Sequence, residues 1–244
     1  MGTAVAAAPG KARARRGAEA AVLAVLAIAW TTPAAAQVGA GVAFHSDYRY
    51  RGYSLSQERP AVALNLAYDH AAGLYAGGSL IAAETSRYGW RQIGRQVYGG
   101  YAKRFARGPI FDFGVSSLRV KYYAFPFRAV ENNEAYFGVV GDHASLRIAY
   151  APDYFDQHHK NLYFDLGSAW RPAPDWRLFV HAGLLQTVGG RLAPDARRSR
   201  YDLSAGVARR FGRAEILLQG TEAGPGRARG PDHDGLQLTA SWNF

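Results

Sequence analysis

The last nine residues of the chain alternate strictly between apolar and polar side chains. Leu236, Leu238, Ala240, Trp242 and Phe244 are apolar, and every residue between them is polar. A period of two predicts a β-strand with one apolar face and one polar face. A soluble sheet can carry the same pattern, so the alternation alone predicts a strand and no particular environment.

The aromatic residues at this terminus favour a membrane strand over a strand of a soluble sheet. The chain ends on an aromatic side chain, Phe244, and a second aromatic, Trp242, lies on the same face. Termini of soluble domains are usually polar and poorly ordered. The aromatic pair instead resembles the closing strand of a bacterial outer-membrane barrel. We therefore expect Trp242 and Phe244 to form the signal that the barrel assembly machinery of that membrane reads.

The same alternation recurs along the chain and predicts about twelve strands, each with one apolar face and one small or polar face. The first apolar face begins at Val38, and its phase continues through Ser46, Tyr48 and Tyr50. That phase predicts one long strand with four titratable residues on its inward face: His45, Asp47, Arg49 and Arg51. Further on, the phase slips near residues 116–117, which predicts a β-bulge.

The connections between the predicted strands alternate in length. Short turns of two to five residues lie at 69–73, 105–109, 141–143, 171–175 and 211–212. The other connections are longer and more polar, and the stretch 85–95 is predicted to be one of them. Short turns at one end and long loops at the other are typical of outer-membrane barrels, whereas a soluble sandwich has no reason to alternate in this way. The sequence therefore predicts an all-β protein, a transmembrane antiparallel up-and-down β-barrel of about twelve strands, with its termini and short turns in the periplasm.

Aromatic side chains fall near both ends of the predicted strands. Those near the loop ends are Tyr48, Tyr50, Tyr122 and Tyr150, and those near the turn ends are Trp170, Trp176, Trp242 and Phe244. Two aromatic girdles are expected at the two interfaces of a lipid-facing band. The alternative is that these rings are scattered through a core.

The start of the chain has the pattern of a secretory signal peptide. A basic region at 11–16 precedes an apolar run of eleven residues, 20–30, and Ala34-Ala35-Ala36 offers a small-residue cleavage site. Eleven apolar residues are too few to span a bilayer as a helix. We expect residues 1–36 to be removed and residues 37–244 to form a single barrel domain.

Composition excludes several other classes of protein. The net charge of +10 includes four basic residues and one acid of the predicted leader, so the mature chain carries +7. An exported basic protein rarely meets nucleic acid, so the expected partners are outer-membrane lipid, lipopolysaccharide or small anionic solutes. The Arg-rich stretches 197–200 and 227–229 can pair with lipopolysaccharide phosphates, or can be solvated loops. The chain has no cysteine and therefore no disulfide framework. A mean hydropathy of only −0.20 suits strands with one polar face.

One segment resembles a known family. It reads Ser46-Asp47-Tyr48-Arg49-Tyr50-Arg51-Gly52-Tyr53-Ser54 and is followed by the turn Gln57-Glu58-Arg59-Pro60-Ala61. This is similar to the opening signature of the Gcw_chp proteins, a proteobacterial family of uncharacterised exported proteins, with a pattern close to S-D-Y-R-F-R-G-x-S. The chain departs from the pattern at Tyr50, where the family has Phe. The resemblance implies an outer-membrane-type barrel and supplies no established activity.

Charged side chains of both signs collect on the inward faces of the predicted strands. They are His45, Asp47, Arg49, Arg51, Asp112, Arg119, Lys121, Glu134, Arg147, Asp165, Arg177, His181, Asp202 and Glu215. They can form a network of ion pairs that fills a narrow barrel. They can equally line a solute path whose basic groups favour anions. In either case we expect Asp47, Arg49 and Arg51 at the centre.

The sequence offers weak candidates for two kinds of reactive site, a catalytic His-Ser pair and a metal site. Outer-membrane lipases and lipid A deacylases use a His-x-Ser pair and a third polar residue further along the chain. The only such pair here is His143-Ala144-Ser145, at a predicted turn, and the residue twelve positions later is Gln157, in a loop at the opposite end. The His and carboxylate groups at 156–159 and 232–234 are adjacent loop residues, which seldom converge on one ion. We therefore predict no catalytic site, no metal site and no cofactor.

The sequence thus predicts a narrow outer-membrane channel or structural barrel for small, anionic solutes. The alternatives are a barrel enzyme that acts on lipid, and a barrel-like periplasmic protein without a role in transport.

Overall fold

The alternating strands close into a barrel. The computed structural model describes residues 37–105, 108–122, 128–190, 192, 197–224 and 234–244, so the predicted signal peptide lies outside the described residues. Within the described chain, twelve strands form the barrel and two short strands form a separate hairpin. In chain order they are β1 Gln37–His45, β2 Arg49–Tyr50, β3 Tyr53–Ser54, β4 Ala61–Asp69, β5 Leu74–Thr85, β6 Gly89–Arg104, β7 Ile110–Tyr122, β8 Arg128–Val140, β9 Ala144–Ala151, β10 His159–Ala173, β11 Trp176–Gly190, β12 Ser199–Phe211, β13 Ala214–Gly224 and β14 Gly235–Asn243.

Consecutive barrel strands are antiparallel neighbours, and the last strand pairs with the first. β1 pairs with β4 on one side and with β14 on the other, where Val42 lies opposite Trp242. Closure leaves no open sheet edge, so the backbone groups of the wall bond within the wall. The predicted up-and-down barrel of twelve antiparallel strands is confirmed.

The two faces of the wall differ in chemistry. Large apolar side chains stay exposed on the outer face, among them Phe44, Leu66, Phe113, Val180 and Leu238. The residues between them point inward and are mostly small or polar. A continuous apolar outer surface is suited to contact with lipid and unsuited to water. No helix in the described residues is long and apolar enough to cross a membrane.

The barrel has a turn end and a loop end. Connections at 70–73, 105–109, 141–143, 174–175 and 212–213 lie at the turn end, where β1 begins and β14 ends. The remaining connections lie at the loop end, and three of them, 46–60, 86–88 and 152–158, are described in full.

One predicted long loop is a tight hairpin instead. The sequence predicts a polar loop over 85–95, but β6 begins at Gly89, which lies opposite Thr85 on β5. Gly89 has a φ of +64°, a conformation that favours glycine, and Thr85 Oγ1 donates to the Gly89 carbonyl at 2.8 Å. The prediction is wrong because residues 89–95 pair with β5 and bury Ile93 in an inward apolar cluster.

Strand β7 keeps one register along its whole length. Its pairing with β6 and β8 runs without a shift past residues 116–117, so the predicted bulge is wrong. The continuous phase turns Leu118 and Val120 inward and leaves Arg119 and Lys121 exposed on the outer face. The prediction that Arg119 and Lys121 face the lumen is therefore also wrong. Apolar residues face inward here because a loop inside the barrel packs on them.

The aromatic residues predicted for the turn end lie on the outer face, whereas most of those predicted for the loop end do not. At the turn end, the exposed outward rings are Trp170, Trp176, Trp242 and Phe244. At the loop end, Tyr150 is exposed on the outer face, but Tyr122 faces inward. Tyr48 and Tyr50 are buried inside the barrel. The predicted loop-end girdle is thus wrong at three of its four positions, because two of those tyrosines do not belong to the wall.

Candidate functional site

Residues 46–60, called here the inserted segment, fold into the mouth of the barrel. Strand β1 ends at His45, and the chain returns to the wall at Ala61, directly opposite. Between them, β2 and β3 form a small hairpin whose tip holds Gly52 at a φ of +76°. A side chain at Gly52 would overlap the inward-facing Ala223 and Asp202 of β13 and β12. The tip therefore presses on the inner wall, and the prediction that residues 46–51 continue the first strand is wrong.

An apolar cluster holds the inserted segment against the wall. Tyr48, Tyr50 and Leu55 are buried in one cluster with inward residues of five strands: Ala61, Ala63, Ile81, Ala83, Ile93, Leu118, Val120 and Val130. Burial raises the pKa of Tyr48 to about 12 and that of Tyr50 well above its ordinary value. Both phenols therefore stay neutral, and the segment docks through apolar contact as well as through charge.

Asp47 ties the two halves of the inserted segment together. Its carboxylate accepts hydrogen bonds from Arg49 Nε and Ser54 Oγ, each at 2.5 Å, and from Ser56 Oγ at 2.8 Å. The backbone carbonyl of Asp47 accepts a further bond from Gln237 Nε2 of β14 at 3.2 Å. These donors offset the cost of burying the carboxylate. Asp47 thus fixes the hairpin internally and links it to the closing strand.

Arg51 joins the inserted segment to the far wall. Its Nη2 lies 2.7 and 2.8 Å from the two carboxylate oxygens of Glu134, the middle residue of β8, and both side chains are more than nine-tenths buried. The guanidinium also stacks on Tyr163 of β10, with its carbon 3.8 Å from the ring centroid. Asn132 Nδ2 donates to the same carboxylate at 2.9 Å. This is a buried, hydrogen-bonded ion pair at mid-height of the barrel.

The loop 152–158 covers the inserted segment. The ring of Phe155 packs edge-on against Tyr50 at a centroid distance of 5.9 Å, and Tyr154 lies beside the Arg51 guanidinium. In the described chain, the non-glycine residues with left-handed backbone all lie in these two segments: Arg51, Gln57, Glu58, Phe155, Asp156 and His158. Such conformations cost about 1–3 kcal/mol each and persist only where surrounding contacts impose them. The two segments are therefore a locally strained unit inside a regular wall.

Below the inserted segment, the lumen carries further charged groups. His181 lies 3.3 Å from Asp165 and 3.5 Å from Asp202, and Tyr163 OH donates to Asp202 at 3.1 Å. The imidazole ring of His181, on β11, therefore lies between Asp165 on β10 and Asp202 on β12. This group is contiguous with Arg51 through Tyr163.

Two ion pairs line the lumen nearer the turn end. Arg147 Nη2 lies 3.0 Å from Asp112, whose carboxylate also accepts a hydrogen bond from Tyr75 OH. Tyr75 OH is 2.6 Å from Tyr136 OH, so the strands β5, β7, β8 and β9 are joined by one network. Separately, Arg177 and Glu215 pair at 2.5 Å.

The structure thus brings most of the predicted lumen residues together. His45 Nδ1 is 3.0 Å from Thr239 Oγ1 on the inner wall, and only Arg119 and Lys121 lie outside. Each remaining predicted arginine is paired with a carboxylate: Arg49 with Asp47, Arg51 with Glu134, Arg147 with Asp112 and Arg177 with Glu215. Among these predicted residues, positive charge is therefore matched and not in excess.

Sequence reasoning missed the inward tyrosines. Tyr75, Tyr136 and Tyr163 belong to the lumen networks but were not among the predicted residues. Their signal is a cross-strand partner: Gly100 lies opposite Tyr75 and Gly114 opposite Tyr136, and a side chain at either glycine would overlap the tyrosine. An inward tyrosine covering a glycine is a recognisable packing device in strongly curved sheets.

The other predicted groups are dispersed. His143 lies in a turn, with its carbonyl accepting a bond from Ser168 Oγ at 2.9 Å, and Gln157 lies at the loop end. Arg200 faces inward over the ring of Tyr53 at 3.8 Å, so it does not extend from the loop towards lipid as the Arg-rich stretch suggested. The stretches 227–229 and 232–233 lie outside the described residues.

A model of a bacterial protein family of unknown function, Gcw_chp, matches residues 30–218. The chain belongs to the Gcw_chp family. The matched region includes the whole inserted segment. None of the curated proteins matches the sequence significantly.

Solved porins share the fold. The KdgM porin is 11% identical, the alignment covers 84% of this chain and 98% of that one, and the TM-score is 0.51. The NanC porin is 8% identical, with coverage of 85% and 99% and a TM-score of 0.53. A structure of the KdgM porin in complex with disordered oligogalacturonate gives 9% identity, coverage of 86% and 98%, and a TM-score of 0.50. Together with the apolar outer surface, these likenesses identify an outer-membrane type of barrel.

Proposed function

We propose that the protein is a narrow outer-membrane channel for small solutes, anions included, whose loop-end mouth is restricted by the inserted segment. The observation that carries the proposal is a closed barrel with charged groups along its lumen and residues 46–60 docked inside it. Closure encloses a lumen, and these groups give it a polar, charged lining. Removal of residues 1–36 on export remains a prediction of the sequence.

Two features support transport. The lumen carries its paired charges from mid-height to the turn end, which provides polar contacts along a path. The inserted segment and the loop 152–158 contain the left-handed non-glycine residues of the described chain. Backbone strain of this kind is concentrated in segments that move or switch. A restricted mouth that can rearrange explains both features.

The solute class is proposed from chemistry and likeness. Arg147 and Arg177 present guanidinium groups to the lumen near the turn end. A porin of the same fold was solved with oligogalacturonate, a chain of sugar acids. Because both arginines are already paired with carboxylates, we expect a modest preference for anions rather than strict selection.

The absence of catalysis is part of the same proposal. The candidate His143 and Ser145 lie at the turn end, and Gln157 lies at the loop end, so the three do not form one site. A lipid-hydrolysis assay on the purified barrel tests this point, and release of fatty acid above that of a His143→Ala variant would contradict it.

The decisive experiment removes the inserted segment. His45 and Ala61 lie opposite each other on paired strands, so an Asn-Gly turn can join them in place of residues 46–60. In planar bilayers we expect small or infrequent conductance steps from residues 37–244, and several-fold larger steps from the shortened variant. Both proteins must first shift in electrophoretic mobility on heating, as folded barrels do. A folded, shortened barrel that never conducts would contradict the channel proposal and favour a structural role.

A further inference from the structure

The outer surface near the loop end carries a group of cations. Arg95 on β6 and Arg119 and Lys121 on β7 are exposed and share the outward face with Val97, Phe113 and Val115. We call these three cations the outer cationic patch. The sequence predicts that Arg119 and Lys121 face the lumen and that Arg95 ends the loop 85–95, so it does not indicate this patch.

The cross-strand register sets the height of this patch on the wall. Arg95, Arg119 and Glu131 lie in one row across β6, β7 and β8. Two residues nearer the turn end, the row is Val97, Ser117 and Asn133, and beyond it come apolar and aromatic residues such as Phe113 and Phe137. Lys121 lies two residues beyond Arg119 on β7, nearer the loop end. The patch therefore borders the apolar band on its loop side, at the depth of lipid headgroups.

The patch is not neutralised within the protein. Arg95 and Arg119 are directly opposite each other on paired strands, an arrangement of like charges that is destabilising. Glu131 lies opposite Arg119 on the other side and accepts a hydrogen bond from Ser117 Oγ at 2.9 Å, so a single carboxylate adjoins three cations. In the described part of the chain, none of the three cations makes an ion pair, whereas the four predicted arginines that do face the lumen, Arg49, Arg51, Arg147 and Arg177, each make one.

A counter-charge from outside the chain resolves this arrangement. Cations on the lipid-facing side of a barrel cost more free energy the deeper they lie, so they are tolerated at headgroup depth. Phosphate groups at that depth accept bidentate hydrogen bonds from arginine. Two arginines and a lysine on adjacent strands match a headgroup with more than one phosphate better than a headgroup with a single phosphate.

We propose that Arg95, Arg119 and Lys121 form a binding site for the phosphates of lipid A, the lipid anchor of lipopolysaccharide in the outer leaflet. The inference rests on the proposed outer-membrane location and is independent of conduction, because the patch lies outside the lumen. Bound lipid removes the repulsion between Arg95 and Arg119 and ties β6 to β7. It also orients the barrel, since only the loop end then meets the lipopolysaccharide leaflet.

The test compares two charge-matched variants of the full barrel in nanodiscs. Arg95→Gln, Arg119→Gln and Lys121→Gln are combined in one variant, and Lys103→Gln, Arg209→Gln and Arg213→Gln, at the turn end, are combined in the control. The probes are rough lipopolysaccharide, the same lipid with its phosphates removed, and phosphatidylglycerol. Native mass spectrometry and the thermal shift on lipid addition report binding.

We expect the patch variant to bind rough lipopolysaccharide at least tenfold more weakly than the wild type, and the control variant to match the wild type. Dephosphorylated lipid should bind the wild type as weakly as intact lipid binds the patch variant. Equal binding by the two variants would overturn the site. Equal affinity for phosphatidylglycerol and lipopolysaccharide would overturn the assignment to lipid A. Conductance of the patch variant should equal that of the wild type. A failure of the lipid A proposal can therefore be told apart from a failure of the channel proposal, because lipid binding and conductance are measured separately.

Discussion

At the scale of single residues, Arg51 and Glu134 connect the most distant parts of the candidate site. They lie 83 positions apart in the chain and form a buried ion pair between the inserted segment and the middle of β8. A buried charge that loses its partner destabilises strongly, although replacing both partners with apolar groups can be nearly neutral. The pair therefore determines where the segment docks more than how stable the barrel is.

Breaking this pair should release the inserted segment. Because the chain has no cysteine, Leu55→Cys provides a single reporter at a buried position. We expect Arg51→Met to weaken docking by about 3 kcal/mol or more, since Glu134 is left without its cation. That change corresponds to a rise in the thiol-labelling rate on the order of a hundredfold.

The double variant Arg51→Met and Glu134→Leu supplies the control. It leaves no unpaired charge, so its labelling rate should lie well below that of Arg51→Met alone. A cysteine at the exposed Arg87 should label equally in every background. Equal labelling of Leu55→Cys with and without Arg51 would show that the ion pair does not hold the segment.

At the scale of elements, the period of two gives each strand its two faces. The residues at which a strand begins and ends depend on the strands and segments that it contacts. β14 ends the chain with outward aromatic rings and closes the barrel against β1. β6 extends to Gly89 because its first residues pair with the end of β5 and Ile93 packs in the inward apolar cluster. β7 turns Leu118 and Val120 inward because the inserted segment packs on them.

The closing strand yields a prediction about assembly. Trp242→Ala combined with deletion of Phe244 should reduce the amount of folded protein in the outer membrane several-fold, if these rings form the assembly signal. Refolding of the same variant in detergent should change little, because both rings are exposed on the outer face.

Trp170→Ala is the matched control for that experiment. Trp170 is also an exposed ring near the turn end, on β10 rather than on the closing strand. Heat-modifiability of membrane fractions measures the folded amount. An equal loss in the Trp170→Ala variant would indicate a general role of interfacial aromatics and no special signal in β14.

At the scale of the whole molecule, charge is distributed in two different ways. The predicted cations that face the lumen are paired with carboxylates, whereas the outer cationic patch has no partner in the described chain. Pairing lets a narrow interior hold charge away from bulk water. The selectivity of an open lumen therefore depends on small imbalances near the turn end, where Arg147 and Arg177 lie.

Removal of those two cations should change ion selectivity. In the barrel that carries the Asn-Gly turn in place of residues 46–60, Arg147→Gln and Arg177→Gln leave Asp112 and Glu215 without their cations. The reversal potential under a salt gradient should then shift towards cation selectivity, by more at low salt than at high salt because screening is weaker. The outward pair Lys103→Gln and Arg209→Gln removes the same charge and should leave the reversal potential unchanged. A shift of equal size in both variants would argue against a path along Arg147 and Arg177.

The sequence by itself determined the barrel. Alternation is a local property, so twelve strands, their outward apolar faces and their short turns could be predicted from neighbouring residues alone. The same reasoning named lumen residues such as Asp112 and Arg147, since each lies between outward apolar residues. It failed at Arg119 and Lys121, because their apolar neighbours Leu118 and Val120 face inward and pack on the inserted segment.

Only the tertiary structure decided what the inserted segment does. The alternation of residues 46–54 suits a wall strand and an internal hairpin equally, because both are extended and both need alternate side chains on two faces. The choice is made by contacts between residues far apart in sequence: Gly52 against Ala223, and Arg51 against Glu134. Such contacts exist only once the barrel has closed, so no local pattern could have predicted a barrel with a segment of its own chain held in its mouth.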